Sequence, residues 1–170
     1  DTADLDLNGG SVELFDCNGD RMEGVAWGAG LSGDGISAEV PRDGQSLARC
    51  PDAPTTGDNA TDFKRAEPPS PAAPNQDFVD SQACEIQNIE CVPGEAVGQV
   101  VINEVYYTTP DTQEEFIELT GPPGLGVSGM IIQLINGNGL EVYSEVELNG
   151  GINDTGFVVV SGDTFSSAIQ

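Results

Sequence analysis

The chain has 170 residues and a formal net charge of −24, with 29 acidic residues, five basic residues and no histidine. Such a polyanion repels phosphate backbones and anionic lipid headgroups, which makes nucleic acids and membrane surfaces poor partners. No apolar run approaches the roughly 20 residues of a membrane-spanning helix, so membrane insertion is not expected. Without histidine, neither a Ser-His-Asp nor a Cys-His catalytic arrangement is possible.

The charge is unevenly distributed along the chain. Every basic residue lies at or before Arg65, and the rest of the chain carries acids alone. The 22 glycines and 11 prolines are typical of short strands joined by many turns. Because the chain begins at Asp1 rather than Met, we expect a mature product or an excerpt from which any export signal has been removed.

The first part of the chain predicts strands separated by turns. Residues 5–15 alternate apolar and polar side chains, as a half-buried strand does, and residues 22–27 are the return strand of a hairpin. The turn between them contains Asn18-Gly19, a pair that readily adopts positive φ. Residues 45–50 predict another short strand, and the Pro-rich residues 68–75 predict an extended, polyproline-like exit.

Residues 76–97 are predicted to be a connector, after which the alternating pattern resumes. A loop at residues 136–139, rich in Asn and Gly, predicts a hairpin, and no amphipathic helix is evident. Many short strands at regular spacing predict an all-β sandwich. The predicted strands of this second part cover residues 100–105, 115–119, 130–135, 141–146 and 157–160.

The strands after the connector resemble the opening of lamin-tail domains. The resemblance lies in residues 100–105 (VVINEV), an acidic spacer, and residues 115–119 (EFIEL), followed by residues 127–132 (VSGMII) and 156–161. Residues before the connector resemble the remainder of the same family. These are residues 8–14, 20–28, 45–50 (QSLARC) and 71–75.

The resemblance implies an immunoglobulin-like β-sandwich whose two halves stand in permuted order. Residues 1–75 correspond to the second half of a lamin-tail domain and residues 98–170 to its first half, with the connector at 76–97. The family is mainly a binding and architectural module, and bacterial members look like parts of secreted or surface proteins. It supplies no catalytic residues, so the resemblance implies a protein that is not an enzyme.

Each half alone would leave strand edges unpaired, and three arrangements would complete it. One chain can fold back into a single permuted sandwich, because the connector spans up to about 70 Å when extended. Alternatively, one chain can complete the next, and such a head-to-tail contact propagates into a filament. In the third arrangement the halves belong to neighbouring repeats of a longer protein.

The four cysteines are Cys17, Cys50, Cys84 and Cys91, and none forms a CxxC motif. An even number in an acidic, Gly-rich chain suggests disulfides and an oxidising compartment, whereas four free thiols would indicate a reducing cytosol. Of the three possible pairings, Cys17–Cys50 with Cys84–Cys91 is favoured, because the second bond would close a small loop in the connector.

Two acidic clusters are candidate calcium sites, and calcium is the only cofactor that the sequence suggests. Asp16, Asn18 and Asp20 lie in one, and Asp58 and Asp62 in the other. Neither matches the EF-hand spacing, so a hairpin turn and a polar loop are the favoured interpretations. Otherwise no cofactor or metal is expected.

Three further patterns in the sequence each have a functional and a purely structural interpretation. Glu104, Glu115 and Glu118 are predicted to be solvated strand carboxylates rather than a catalytic pair. Trp27 is predicted to lie in the core rather than on a carbohydrate-binding platform with the tyrosines. The tripeptides starting at Asn59 and Asn153 match the N-glycosylation sequon, which matters only in a secreted protein.

The sequence therefore predicts a non-enzymatic structural protein outside the cell or on its surface, whose partners are copies of itself. Strand hydrogen bonds would supply affinity in a head-to-tail filament, and alternate apolar side chains would fix the register. The alternative is an adhesion or ligand-binding module of a larger surface protein, folded as a permuted monomer. A secreted hydrolase is a distant third possibility. The predicted assembly core comprises Val12, Leu14, Val25, Val100, Ile102, Phe116, Ile131 and Val158.

Overall fold

The fold is an all-β sandwich of two antiparallel sheets, confirming the predicted class. It is seen in a computed structural model that describes residues 9–29, 33–50, 56–79, 100–107, 115–137 and 141–161. Within these ranges the one helix is α1 (Asn59–Asp62). The strands are β1 (Gly9–Phe15), β2 (Arg21–Gly28), β3 (Ser46–Arg49), β4 (Phe63–Ala66), β5 (Val101–Tyr106), β6 (Phe116–Thr120), β7 (Ile131–Asn136), β8 (Val142–Glu147) and β9 (Phe157–Ser161).

The first sheet has the strand order β2-β1-β7-β8 and the second has the order β4-β3-β5-β6-β9. The hairpin predicted at the start of the chain is confirmed, since β1 pairs with β2 in antiparallel register. Its turn closes with a bond from the Asp16 N–H to the carbonyl of Asp20. The predicted strand residues 5–8 lie outside the described part of the chain.

The core fills the space between the sheets, and it follows the period-two alternation of the strands. Val12 and Leu14 of β1 are fully buried, as is Val25 of β2. Trp27 is also fully buried and stacks on Tyr107 with ring centroids 5.0 Å apart, which confirms its predicted place in the core. A Cβ at Gly10 would lie 2.8 Å from the Trp27 ring, so only glycine fits opposite this indole.

The two parts of the chain that flank the connector meet in both sheets. In the first sheet β1 pairs with β7, from Gly10 opposite Asn136 to Phe15 opposite Ile131. In the second sheet β3 pairs with β5, and Leu47 lies opposite Val105. Strands of one chain therefore complete the sandwich. In each sheet a strand that follows the connector, β7 or β5, lies beside a strand that precedes it, β1 or β3.

The edges of the sheets differ in how they are covered. β2 is flanked by residues 33–38, and Ala38 donates to the carbonyl of Ala26. β4 is flanked by a bridge between Ala66 and Phe78. β9 has β6 on one side, and among the described residues no strand lies on its other side. β9 also contains no charged residue, proline or bulge, the usual protections of an exposed edge.

Candidate functional site

The most polar buried region lies on the outer face of the second sheet, beneath residues 67–77, here called the Pro-rich loop. The ends of this loop are tied together, because the Glu67 N–H donates to the carbonyl of Asp77 at 3.2 Å. Between these ends the chain crosses β3, β5 and β6. Such a compact loop with neighbouring ends is an Ω-loop, a type that is often functional.

Glu104 and Glu118 anchor the Pro-rich loop from below. They lie directly opposite each other on β5 and β6, and both are fully buried. The Glu104 carboxylate accepts hydrogen bonds from the Ser46 hydroxyl at 2.5 Å and from the Ser70 N–H at 3.1 Å. The Glu118 carboxylate accepts from the Ala72 N–H at 2.5 Å and from the Asn103 side-chain amide at 2.9 Å.

The loop is held at its tip and on its return path. Ala72, at the tip, has φ of 60°, a left-handed conformation that costs a non-glycine residue about 1–2 kcal/mol. Its N–H is the group bound by Glu118, so the carboxylate holds the strained residue in place. On the return path the Asn75 amide donates to the carbonyls of Arg49 and Asn103, which fastens the loop to β3 and β5.

The prediction that Glu104 and Glu118 are solvated is wrong. The alternation places both side chains outside the sandwich, as expected, but the Pro-rich loop covers that face and removes them from water. Glu115 precedes β6 and is half-buried. Every oxygen of the Glu104 and Glu118 carboxylates accepts a hydrogen bond from an N–H or O–H of the same chain. In this structure the two carboxylates therefore act as a clamp that holds the Pro-rich loop on the sheet.

A second buried polar group joins the two sheets. Glu23 of β2 forms an ion pair with Arg49 of β3, and their side chains are only 3% and 1% exposed. Glu23 also accepts the N–H of Ile102 at 2.7 Å, while the Arg49 Nε donates to the carbonyl of the same residue. The Arg49 guanidinium lies 4.5 Å from the centre of the Phe63 ring and 3.7 Å from Asp62.

Burial raises the pKa of Glu23, because the apolar surroundings disfavour its charged form. The charge of Arg49 and the hydrogen bond from Ile102 oppose this effect without cancelling it. The pair was missed at the level of the sequence, although the signal was present. Glu23 shares its strand face with Val25 and Trp27, which places a carboxylate where the alternation predicts an apolar side chain.

The candidate calcium residues Asp16, Asn18 and Asp20 form a self-contained turn. The Asp16 carboxylate accepts the N–H of Asn18 at 2.8 Å and that of Asp20 at 2.9 Å. These hydrogen bonds from Asp20 and Asn18 lower the pKa of Asp16, since they favour the charged form. The carboxylate of this group is thus engaged by its own backbone.

The other acidic pair has local structural partners. Asp58 is the N-cap of α1 and accepts the N–H of Ala60 at 3.0 Å. Asp62 is buried, accepts the N–H and hydroxyl of Thr56, and faces Arg49. Within the part of the chain that the structure describes, no group of three or more acidic or cysteine side chains could hold a metal ion.

The cysteines depart from the favoured pairing. Cys17 is exposed and carries a free thiol, whereas Cys50 is disulfide-bonded, so the predicted Cys17–Cys50 bond is wrong. Cys17 lies in the β1–β2 turn of the first sheet beside Gly129, while Cys50 directly follows β3 of the second sheet. Cys84 and Cys91 lie outside the described residues.

The predicted assembly core lies between the sheets, with two exceptions. Val12, Leu14, Val25, Val100 and Ile102 are buried there, and Val158 packs against them from a partly buried position. Phe116 is buried but lies on the outer face of β6 with Glu118, where its ring contacts Tyr106 with centroids 5.5 Å apart. Ile131 is half-buried and lies opposite Phe15 on the outer face, whereas the next residue, Ile132, is fully buried. An offset of one residue moves a strand side chain to the other face of its sheet.

Comparison with known protein families, curated proteins and solved structures found no match for this chain. Among the described residues, no helix is long and apolar enough to cross a membrane.

Proposed function

We propose that the chain is a non-enzymatic adhesion or ligand-binding module of a larger secreted or cell-surface protein, folded as a permuted monomer. The observation that carries this proposal is the pairing of β1 with β7 and of β3 with β5 inside one chain. It makes a second copy unnecessary for closing the sandwich. The relation to lamin-tail domains, and with it the immunoglobulin-like topology, is part of the proposal and is supported by the EFIEL and VVINEV segments.

The buried carboxylates, which would be the first candidates for catalysis, support a structural role for these residues instead. Glu104 and Glu118 hold the Pro-rich loop, and Glu23 is engaged by Arg49. An acid or base in catalysis must reach the substrate, and these carboxylates are buried behind their own chain. The location outside the cell is supported by the strongly acidic composition and the even number of cysteines.

Sedimentation velocity of the purified chain over a range of concentrations tests this proposal. We expect one species at the monomer mass of 17.7 kDa, with no growth in size as the concentration rises. Long fibres that survive mild denaturant would overturn the monomeric module and establish completion between chains.

The second candidate is a subunit of a head-to-tail filament, and the edge of β9 favours it. This edge lacks the charges and bulges that discourage strand addition, and Val159 on it is 38% exposed. A second copy could add there, as well as exchange halves through the β1–β7 and β3–β5 pairs. If assemblies form, Val159→Lys should disperse those built on β9, whereas Ile36→Lys, at an exposed position outside the strands, should not.

A further inference from the structure

The two N-glycosylation sequons of the chain lie in opposite environments, which makes them a matched pair. Asn59-Ala60-Thr61 opens α1, and Asn153-Asp154-Thr155 lies in the turn before β9. The tripeptide alone is a weak signal, because an acceptor asparagine must also be reachable and able to carry a bulky sugar. The surroundings of the two side-chain amides decide between them.

Asn59 has no room for a sugar. It is 2% exposed, and its amide nitrogen donates to the carbonyl of Gly24 at 3.0 Å. Its amide oxygen accepts from the N–H groups of Ala26 at 2.9 Å and Asp34 at 3.0 Å. The side chain therefore ties α1 and the segment after β2 to the backbone edge of β2, and a glycan on it would break these contacts.

Asn153 has the opposite arrangement. It is exposed, and its amide oxygen accepts from the Thr155 N–H at 2.9 Å, the Thr155 hydroxyl at 2.7 Å and the Phe157 N–H at 3.0 Å. Because the amide is planar, an oxygen that faces into the turn directs the nitrogen away from it, toward solvent. A sugar on that nitrogen would leave all three hydrogen bonds to the oxygen intact.

We infer that Asn153 is an N-linked glycan acceptor and that Asn59 is not. In the transfer, the Asn153 Nδ2 attacks the anomeric carbon of a lipid-pyrophosphate-linked oligosaccharide and loses one proton. The new bond joins Nδ2 to that carbon, and the bond between the carbon and the pyrophosphate oxygen breaks, so the lipid pyrophosphate leaves with its electron pair. The enzyme is a membrane oligosaccharyltransferase of the secretory route.

The inference rests on the secreted location in the proposed function. It adds to that function a glycosylated surface at the turn before β9. The turn leads directly into β9, since the Asn153 N–H also donates to the carbonyl of Phe157 at 3.0 Å. A glycan there would stand beside the edge of β9 that faces away from β6 and hinder strand addition at that edge.

The test is secretion of the full chain from a eukaryotic host, followed by enzymatic removal of N-glycans and peptide mass mapping. We expect the secreted protein to carry a glycan at Asn153 and none at Asn59. Asn153→Gln should abolish the mass shift, and Thr155→Ser, which keeps the sequon, should retain it.

Thr61→Ala is the matched control, because it destroys the other sequon at an exposed side chain without altering Asn59. The glycan mass should be unchanged in this variant. A folded, secreted protein without a glycan at Asn153, or with one at Asn59, would overturn the inference. Neither result depends on whether the protein is a monomer or a filament, so this test fails separately from the sedimentation experiment.

Discussion

At the scale of single residues, this protein places charge inside the sandwich and balances it locally. The Glu23–Arg49 pair lies between the sheets with both side chains almost fully buried. Desolvation makes such a pair costly to form, but removing one partner is costlier still, because the other charge is left in an apolar environment. Substitutions at this pair are therefore expected to have a large effect on the free energy of unfolding.

We expect Glu23→Ala to lower the free energy of unfolding by about 3–5 kcal/mol, because the buried Arg49 loses its paired carboxylate and among the described residues retains Asp62, 3.7 Å away, as an ionic partner. Urea denaturation followed by tryptophan fluorescence measures this, since the single Trp27 lies in the core. Glu13→Ala, which breaks the pair with the partly exposed Arg21, should cost less than about 1 kcal/mol. Equal losses in the two variants would argue against the buried pair.

The raised pKa of Glu23 gives a pH dependence of known sign. The folded state holds the Glu23 proton more tightly than the unfolded state, so this contribution to stability is fully present below the ordinary value of 4.5. It is lost as the pH rises through the folded-state value. The stability of the wild type relative to Glu23→Gln should therefore fall from about pH 4 to pH 7 in urea titrations. A difference that grows with pH would contradict the raised pKa.

The cysteines give a chemical prediction at the same scale. A maleimide added to the native protein without reductant should label the peptide that contains Cys17, because this thiol is free and exposed. The peptide that contains Cys50 should be labelled only after reduction, since Cys50 is in a disulfide. Peptide mass mapping reads out both sites. A Cys17 peptide that needs reduction before labelling would restore the pairing that the sequence favoured.

Among the structural elements, the Pro-rich loop is the one whose position differs most from the prediction made from the sequence. The Pro-rich composition of residues 68–75 predicts an extended exit, and the prolines do prevent regular strand or helix formation there. The loop folds back across the second sheet because Glu104 and Glu118 bind its backbone N–H groups at Ser70 and Ala72. Alternation gave the correct strand face for both carboxylates, but not their burial, because a pattern within a strand carries no information about what lies over it.

The loop makes a prediction about local stability. Glu118→Ala removes the acceptor of the Ala72 N–H and of the Asn103 amide, and an unsatisfied buried group costs about 1–3 kcal/mol. Hydrogen exchange at the Ala72 amide should accelerate by about tenfold or more, while exchange in β7 changes little. Glu145→Ala, on the outward face of β8, is the control and should leave the loop unchanged. Unaltered exchange at Ala72 in Glu118→Ala would contradict the clamp.

At the scale of the whole molecule, the strands and their class follow from the sequence, whereas the partners of the strands do not. The alternation of Val12 and Leu14 fixes which face of β1 is buried, but every arrangement of the halves buries the same face. The choice between one chain and two depends on loop closure through the connector, which leaves no periodic signal. Ile131 shows a further limit of prediction from sequence. In an apolar run such as Ile131-Ile132, there is no alternation to indicate which of the two residues points into the core.

The pairing across the connector predicts that the connector's continuity is dispensable once the protein is folded. A protease site inserted between Val97 and Gly98 would allow cleavage of the native protein in reducing buffer. We expect the two pieces to sediment together at the mass of the uncut chain and to separate only in denaturant. They are held by β1–β7, by β3–β5 and by the bonds that Glu23 and Arg49 make to Ile102. Pieces that separate in native buffer would show that these contacts do not hold the halves together.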